Sequence, residues 1–322
     1  MDVFSEDSDR PLGVVICCPS RVCNYRCAYC ERTWRRGAFS DLKFDSAEFA
    51  QWDRWLDIVV SRIRRPLCLV THPNLGEPLV VPGFFDSMRR IAASENVRSI
   101  SIVSNLSHPI MDALTGIDPR KFGIKASLHP SQFKSPGDFG VFVEQALAFK
   151  RHGGTILIGY VFSRDQIPKA EWYRDFFNAM GLPFSGNLLM GTYEGITFPD
   201  AYTDDERRVL SSFFADEPFI FDYQVANQFS FGKPCAAGRD CIYVTNDGSV
   251  YRCQFTQTKL GALVDGRLDL PDGNLACTSE RCRCHYTIGL MEDIYRDYRK
   301  GVHIMVGYEK RKDDAAADHP FL

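Results

Sequence analysis

The chain of 322 residues is long enough for one large domain and a smaller second one. Hydrophobic residues make up 45% and charged residues 25%, as is typical of a globular protein, and the formal net charge of −3 excludes a basic field that would attract nucleic acid or a membrane surface. The first residues lack the basic and apolar regions of a signal peptide, and no apolar run is long enough to cross a bilayer. We therefore expect a cytoplasmic protein without nucleic-acid or membrane partners.

Apolar strand-like runs alternate with amphipathic helical patterns over the first two thirds of the chain. Strands are expected at 13–17, 67–71, 99–104, 122–127 and 155–162 and in a run that ends at 190. Helices are expected from Asp45, which begins a capping box, to about 59, and at 82–94, 110–114, 139–152, 169–180 and 203–214. Six strand–helix units predict an α/β fold with a parallel sheet and outer helices. They are too few for a closed eight-stranded barrel but suit an open partial barrel.

The twelve cysteines are unevenly distributed. Five lie within residues 17–30, Cys68 stands alone, and six lie between Cys235 and Cys284. A reducing cytosol disfavours disulfides, so two metal-binding regions explain this distribution better than a disulfide framework.

The first region contains Cys23, Cys27 and Cys30, spaced C-x3-C-x2-C directly after the first expected strand. Thiolates on one short loop can converge on a soft metal. Iron–sulfur clusters and closed zinc sites usually take four protein ligands, so three thiols on a [4Fe–4S] cluster would leave one iron open. The alternatives are a zinc knuckle with a distant fourth ligand and three purely structural thiols.

This spacing, with the aromatic Tyr29 directly before the last cysteine, resembles the signature of the radical S-adenosylmethionine (SAM) enzymes. The resemblance implies a partial (β/α)6 barrel and a [4Fe–4S] cluster whose open iron binds SAM. It further implies that one electron, supplied by a donor such as flavodoxin or ferredoxin, splits SAM into methionine and a 5′-deoxyadenosyl radical that removes a hydrogen atom from the substrate. Tyr29 is then an expected cofactor contact.

Polar residues follow the expected strands at their carboxyl ends, where parallel β/α proteins carry their active sites. Gly76, Glu77 and Pro78 resemble the family's GGEP motif, which holds the amino group of SAM, although Leu75 replaces the first glycine. The other expected cofactor contacts are Ser104, Asn105, Ser127 and Arg164, and the expected substrate contacts are His129, Tyr193 and Glu194. Each also has a simpler interpretation as a turn or surface residue, and Arg164 could pair with Asp165.

The second cysteine region has a different character. Turns at Asn246-Asp247-Gly248 and Asp265-Gly266 separate β-rich runs and predict two hairpins. The spacing Cys235-x12-Gly248-x4-Cys253 is similar to that of the SPASM and Twitch extensions of radical SAM proteins.

That similarity implies one auxiliary [4Fe–4S] cluster. Its ligands are expected to be four of the following cysteines: Cys235, Cys241, Cys253, Cys282 and Cys284. The spacing alone does not decide whether Cys241 or one of Cys282 and Cys284 is a ligand. Cys277 is expected not to be a ligand. If Cys241 is not a ligand, it is a candidate hydrogen-atom donor to a substrate radical. A structural zinc ribbon is the alternative for the whole region.

These observations predict four segments and three possible functions. The segments are an N-terminal extension at 1–12, a radical SAM domain at 13–220, a SPASM/Twitch-like auxiliary domain at 221–305 and a charged, disordered tail at 306–322. The first hypothesis is an oxidoreductase or epimerase that acts on a C–H bond of a small natural product such as a sugar or aminocyclitol. The second is a maturase of a ribosomally made peptide, which the short N-terminal extension disfavours. The third is a non-catalytic iron–sulfur or zinc protein.

Overall fold

The computed structural model describes residues 11–30, 44–71, 73, 76–215, 218–226 and 228–282. The expected extension up to residue 10, the expected tail, Cys284, and Leu75 before the Gly76-Glu77-Pro78 turn all lie outside these residues.

The predicted strands and helices occur in the predicted order, and the described residues also contain short elements that were not predicted. The first six strands are β1 (Leu12–Ile16), β2 (Leu67–Val70), β3 (Val97–Ser104), β4 (Phe122–Leu128), β5 (Thr155–Phe162) and β6 (Phe184–Leu188). The later strands are β7 (Gly191–Tyr193), β8 (Ile196–Phe198), β9 (Pro234–Cys235), β10 (Cys241–Val244), β11 (Ser249–Tyr251), β12 (Lys259–Ala262), β13 (Arg267–Leu268) and β14 (Leu275–Ala276). The helices are α1 (Ser46–Arg62), α2 (Phe84–Ala92), α3 (Ile110–Ala113), α4 (Pro136–Arg151), α5 (Ala170–Ala179), α6 (Asp204–Ser212) and α7 (Pro218–Gln224). Among the residues described, no helix combines the length and apolar character needed to cross a membrane.

The six strands β1 to β6 lie side by side in sequence order, and each neighbouring pair is parallel. Helices α1 to α5 connect them, one before each of β2 to β6. Parallel neighbours need such crossover connections, because a tight turn can join only antiparallel strands. The predicted α/β class, with a partial (β/α)6 arrangement, is confirmed.

The second cysteine region continues the same sheet. Strand β10 pairs in parallel with the free side of β1, so that Gly13 lies opposite Cys241 and Ile16 opposite Val244. Strands β11, β12 and β13 then follow as antiparallel neighbours, which confirms both predicted hairpins. The two predicted domains therefore share one sheet within the described residues.

Helix α1 packs over the junction between these two parts. The Asp45 carboxylate caps the helix by accepting hydrogen bonds from the backbone of Ala47 and Glu48, at 2.8 and 3.1 Å. On its buried face, the Trp52 indole donates to the carbonyl of Ile16 in β1 at 3.4 Å. The Trp55 indole donates to the carbonyl of Asn246, in the β10–β11 turn, at 2.9 Å. One helix thus fixes the position of the hairpin relative to β1.

We expect Gly248→Ala to lower the free energy of unfolding by about 1–3 kcal/mol, because it strains the backbone and crowds the helix. Gly248 has a φ of +78°, and an added Cβ would lie 2.9 Å from the Trp55 ring. Denaturant unfolding followed by circular dichroism measures the effect.

The matched control is Gly140→Ala in helix α4, where an added Cβ meets nothing within 4 Å. We expect that variant to be as stable as the parent chain or more stable, by about 0.5–1 kcal/mol, because alanine favours a helix interior. Equal unfolding free energies for the two variants would contradict the proposed packing of Trp55 on the hairpin turn.

Candidate active site

The loop of residues 18–30, here called the cysteine loop, follows the carboxyl end of β1. Cys27 is buried, and Cys23 and Cys30 are half-buried. The backbone N–H of Cys30 donates to the carbonyl of Cys27 at 3.0 Å, which closes a turn between the last two cysteines. Burial, followed by the neighbouring Cys30 and Cys23, raises the pKa of Cys27 to about 12. Cys27 is therefore a neutral thiol at pH 7 in the absence of a metal.

The loop is attached first to the carboxyl end of β2. The backbone N–H of Glu77 donates to the carbonyl of Val22 at 2.8 Å. A Cβ atom added at Gly76 would lie 2.7 Å from Pro73 Cβ and 2.8 Å from the Val22 oxygen. Gly76 is therefore needed for the two loops to approach each other, which is the close backbone approach expected from the sequence.

The Glu77 carboxylate connects β2 to β3. It is only 2% exposed and accepts hydrogen bonds from the Ser104 hydroxyl at 2.7 Å and from the backbone N–H groups of Asn105 and Leu79, at 2.6 and 3.1 Å. Burial raises its pKa to about 7, against the opposing effect of these three donors. The sequence predicted that this carboxylate holds the SAM amino group. In the structure both of its oxygens bind protein donors, so the side chain fixes the turn, and its contact with SAM stays a prediction.

The end of β3 also contacts the cysteine loop. The Asn105 side chain donates to the side-chain oxygen of Asn24 at 3.0 Å, and Asn24 in turn donates to the Ser107 hydroxyl at 2.8 Å. The backbone N–H of Ser107 donates back to the Asn105 side chain at 3.0 Å. Asn24 was not predicted as a site residue, although its position between two of the motif cysteines was the available signal.

The end of β4 holds the other half of the loop. The backbone N–H of Arg26 donates to the Gln132 side chain at 2.8 Å. The Tyr29 hydroxyl lies 2.5 Å from His129 Nδ1, and the Tyr25 ring meets the imidazole edge-on at 5.9 Å between centroids. The sequence predicted Tyr29 and His129 separately, as a cofactor contact and a substrate contact. The structure joins them in one pair.

The protonation states of this pair follow from its surroundings. Part of the His129 surface is accessible, but its ring lies among Tyr25 and Tyr29, and burial lowers its pKa to about 4. Burial raises the pKa of Tyr29 well above its usual range. Both groups are neutral at pH 7, so the contact is an uncharged hydrogen bond whose direction is set by the imidazole tautomer.

The carboxyl ends of the parallel strands are here called the rim. Other residues predicted at the rim make contacts away from the cysteine loop. The Arg164 guanidinium donates to the carbonyl of Ala201 at 2.7 Å and forms an ion pair with Glu206 at 3.2 Å, so it holds the segment before α6. Tyr193 lies in the β7–β8 hairpin, and Glu194 is exposed at its turn with a φ of +53°. These three residues stay predictions as ligand contacts.

Half-buried positions of β4 and β6 carry polar groups. Ser127 of β4 lies opposite Gly159 of β5 and is half-buried. Two residues deeper along β4, Lys125 Nζ donates to the Asn187 side chain of β6. They meet across Gly159, where an added Cβ would lie 2.9 Å from Lys125 Cε. Neither Lys125 nor Asn187 was predicted, although a lysine within an apolar strand was a usable signal.

The second thiol group consists of the cysteines from Cys235 onward. Two of them, Cys235 and Cys277, lie on or directly after the short paired strands β9 and β14. Leu275 lies opposite Cys235, and the backbone N–H of Cys277 donates to the carbonyl of Lys233 at 2.8 Å. Burial raises the pKa of Cys235 to about 11, and the charges of Cys277 and Cys253 act in the same direction. The structure therefore brings Cys277, which was expected to be spare, close to Cys235 and Cys253.

The other cysteines of this region differ in their surroundings. Cys282 is buried. Cys241 is fully buried at the start of β10, and a Cβ added at Gly13 would lie 3.4 Å from its sulfur. It lies at the amino-terminal end of the parallel pair β1–β10, whereas the cysteine loop follows the carboxyl end of β1.

The donor chemistry of both thiol groups fits iron–sulfur clusters, which proteins bind through cysteine thiolates. In the described part of the chain, no three histidine, cysteine or acidic side chains lie close enough to hold a single metal ion. A single metal ion needs its ligands to converge on one point. A [4Fe–4S] cluster does not, because each of its cysteine ligands binds a different iron atom.

We expect Glu77→Gln to lower the free energy of unfolding by about 1–3 kcal/mol, because its amide group presents a donor to backbone and hydroxyl donors. The pH dependence adds a second signature. The folded chain binds the Glu77 proton more tightly than the unfolded chain, since the pKa rises from 4.5 to about 7. The contribution of Glu77 to the unfolding free energy therefore falls as the pH rises between these values, by at most about 1.4 kcal/mol per pH unit. Glutamine lacks this slope.

Denaturant unfolding of the wild type and the variant over this pH interval measures both effects. Glu144→Gln, at an exposed position of helix α4, is the control, and we expect it to stay within about 0.5 kcal/mol of the wild type. A wild-type-minus-variant difference that is constant with pH would contradict the assignment of a buried, titrating carboxyl to Glu77.

No protein-family model matches the sequence, and no curated protein is similar to it. Solved structures with a similar fold are found. Native anSMEcpe with bound AdoMet is 16% identical and has a TM-score of 0.54 over 79% of this chain and 79% of that chain. Streptococcus suis SuiB is 17% identical and has a TM-score of 0.51 over 82% of this chain and 66% of that chain. Both are radical SAM enzymes. At these identities the likeness concerns the fold, and it confirms the fold that the cysteine motif implied: the chain has the fold of the radical SAM enzymes.

Proposed function

We propose that the chain is a radical SAM enzyme that cleaves SAM reductively and removes a hydrogen atom from a C–H bond of its substrate. The observation that carries this proposal is the attachment of the cysteine loop to three neighbouring strand ends. Val22 bonds to the end of β2, Asn24 to the end of β3, and Arg26 and Tyr29 to the end of β4. A merely structural metal knuckle would not need to be held over the carboxyl edge of a parallel sheet, where β/α enzymes bind their substrates.

The residues of the loop have distinct tasks in this proposal. Cys23, Cys27 and Cys30 bind three irons of the cluster after losing their protons, and the raised pKa of Cys27 makes this step dependent on pH. When bound, the cluster supplies the electron that breaks a C–S bond of SAM, so that methionine leaves and the 5′-deoxyadenosyl radical takes a hydrogen atom from the substrate. An external one-electron donor such as flavodoxin or ferredoxin supplies that electron. The neutral Tyr29–His129 pair fixes the loop next to its last cysteine.

An auxiliary [4Fe–4S] cluster in the second region is part of the proposal. The pairing of β9 with β14, and the effects of Cys253 and Cys277 on the pKa of Cys235, support these three as ligands. The fourth ligand is Cys241, Cys282 or Cys284. Compared with the sequence-based prediction, Cys277 changes from spare residue to ligand. Cys241 remains the candidate hydrogen-atom donor only if it is not the fourth ligand.

Two substrate classes remain. Half-buried polar groups on β4 and β6, among them Lys125, Ser127 and Asn187, favour a small polar molecule such as a sugar or aminocyclitol, which would be dehydrogenated or epimerised. The second candidate is a peptide. It is favoured by solved structures of similar fold that contain one: native anSMEcpe with AdoMet and the Kp18Cys peptide, and SuiB bound to the precursor peptide SuiA.

We expect the anaerobically reconstituted protein to release 5′-deoxyadenosine from SAM in the presence of a strong reductant. Substitution of Cys23, Cys27 or Cys30 by alanine should abolish this release and remove about four iron atoms per chain, because each thiolate holds one corner of the cluster. Iron analysis and chromatography of the nucleoside measure both results.

Cys68→Ala is the control for the loss of a thiol, since Cys68 lies on β2 outside the cysteine loop. It should keep both iron and cleavage activity. Protein that contains only zinc after iron loading, or that leaves SAM intact beside the reductant, would refute the proposed activity.

We expect the substrate to reveal itself by transferring deuterium to 5′-deoxyadenosine, because the abstracted hydrogen atom ends up on that product. Extract of the producing organism grown in deuterated medium is separated into small-molecule and peptide fractions, and each is incubated with the enzyme and unlabelled SAM. A mass increase of the nucleoside with the small-molecule fraction supports the first candidate. An increase confined to the peptide fraction would overturn it in favour of the maturase.

The reaction type is then read from the identified substrate, used without label in deuterated water. Deuterium from the solvent in the product indicates epimerisation, and a two-electron oxidised product without it indicates dehydrogenation.

A further inference from the structure

Arg252 is a buried cation next to the second thiol group. It precedes Cys253 in the chain and is only 2% exposed. Its guanidinium donates through Nε to the carbonyl of Ala237 at 2.7 Å and through Nη1 to the carbonyl of Ala276 at 2.6 Å. Nη2 donates to the carbonyl of Cys235 at 2.9 Å and to the carbonyl of Leu275. One side chain thus ties β9 to β14.

These four bonds engage all three nitrogen atoms of the Arg252 guanidinium but do not balance its charge. All four acceptors are neutral carbonyl groups, and within the described residues no carboxylate is bonded to this guanidinium. The neighbouring buried acid, Asp240, forms its ion pair with Arg239 at 2.8 Å. Removing an arginine from water without an opposite charge is costly, and it becomes favourable only when an anion lies nearby.

The thiols around Arg252 can supply that anion. Arg252 donates to the backbone carbonyl of Cys235 and directly precedes Cys253 in the chain. Cysteines must lose their protons to bind a metal, and an iron–sulfur cluster with four thiolate ligands carries net negative charge. The backbone also packs closely against the Arg252 side chain. Gly238 has a φ of +95°, and a Cβ added there would lie 3.0 Å from Arg252 Cγ.

We propose that Arg252 is a positioning residue for the auxiliary cluster, which clamps the strands that carry Cys235 and Cys277 and raises the reduction potential of the cluster through its buried positive charge. This inference rests on the proposed function, because it requires a cluster in the second region. Reduction adds negative charge to the cluster, so a fixed cation nearby stabilises the reduced form. The auxiliary cluster is thereby adapted to accept an electron, as a dehydrogenation would require.

The test compares Arg252→Gln, which removes the charge, with Arg252→Lys, which retains it but has fewer donors in a different geometry. The probe is the reconstituted protein itself, titrated with a reductant of known potential and followed by electron paramagnetic resonance. We expect Arg252→Gln to lower the equilibrium constant for reducing the second cluster at least tenfold, which corresponds to 59 mV for one electron. Arg252→Lys should stay closer to the wild type. Arg267→Gln, at an exposed arginine of β13 in the same region, is the control and should leave the potential unchanged.

The outcomes separate the inference from the function on which it rests. Wild-type protein with about eight iron atoms per chain, falling to about four in Cys277→Ala, shows that the second cluster exists and is held there. About four iron atoms in the wild type would instead refute the auxiliary cluster itself. With the cluster present, a wild-type potential in Arg252→Gln would overturn the role of Arg252. If Arg252→Gln loses the second cluster while Arg252→Lys keeps it, the role is supported. If both variants lose it while the first cluster and 5′-deoxyadenosine release persist, the charge effect is overturned, because lysine keeps the charge.

Discussion

The geometry of the site depends on a carboxylate that is almost completely removed from water. Glu77 accepts hydrogen bonds from one side chain and two backbone groups at the end of β3 and in its own turn, while its backbone N–H bonds to the cysteine loop. Desolvation raises its pKa to about 7, so the three donors offset only part of the cost of burying the charge. A carboxylate is suited to this task because it accepts several bonds at once in a fixed plane. The ends of β2 and β3 and the loop that bears the thiols are therefore positioned as one unit.

Around this unit the cysteine loop is held mainly by residues that are not cysteines. Val22, Asn24, Arg26 and Tyr29 each bond to a different part of the rim. Because these contacts involve side chains and backbone from the ends of β2, β3 and β4, they position the loop at several points besides its cysteines. Preorganisation of this kind is what a site needs to hold a reactive group in a narrow range of geometries.

Much of the first part of the fold could be predicted from sequence because its signals are local. Strand β5 has the expected bounds, Asp45 caps α1 as expected, and the Asp-Gly turn at Gly248 forms a hairpin. What could not be predicted depends on pairing between distant segments. Nothing in the residues of β10 specifies that its partner is β1, more than 200 residues earlier, because both are short apolar runs. The position of Cys277 beside Cys235 likewise follows from the pairing of β9 with β14. The hydrogen bonds from the end of β3 to Glu77 were missed for the same reason, because Ser104 and Asn105 lie 27 and 28 residues after it.

The shared sheet gives the two thiol groups a fixed relationship. If the second region were a separate domain on a linker, the separation of its cysteines from the cysteine loop would vary with domain motion. Instead, β10 bonds directly to β1, and α1 packs on β1 through Trp52 and on the hairpin turn through Trp55. Relative movement of the two groups would require breaking strand pairing and withdrawing two large aromatic rings from the core, which costs far more than the flexing of a linker. In the proposed dehydrogenation, an electron would pass from a substrate at the strand ends to the auxiliary cluster, and that transfer needs a constant separation. The continuous sheet provides it, so under this proposal the pairing of β10 with β1 serves the reaction as well as the fold.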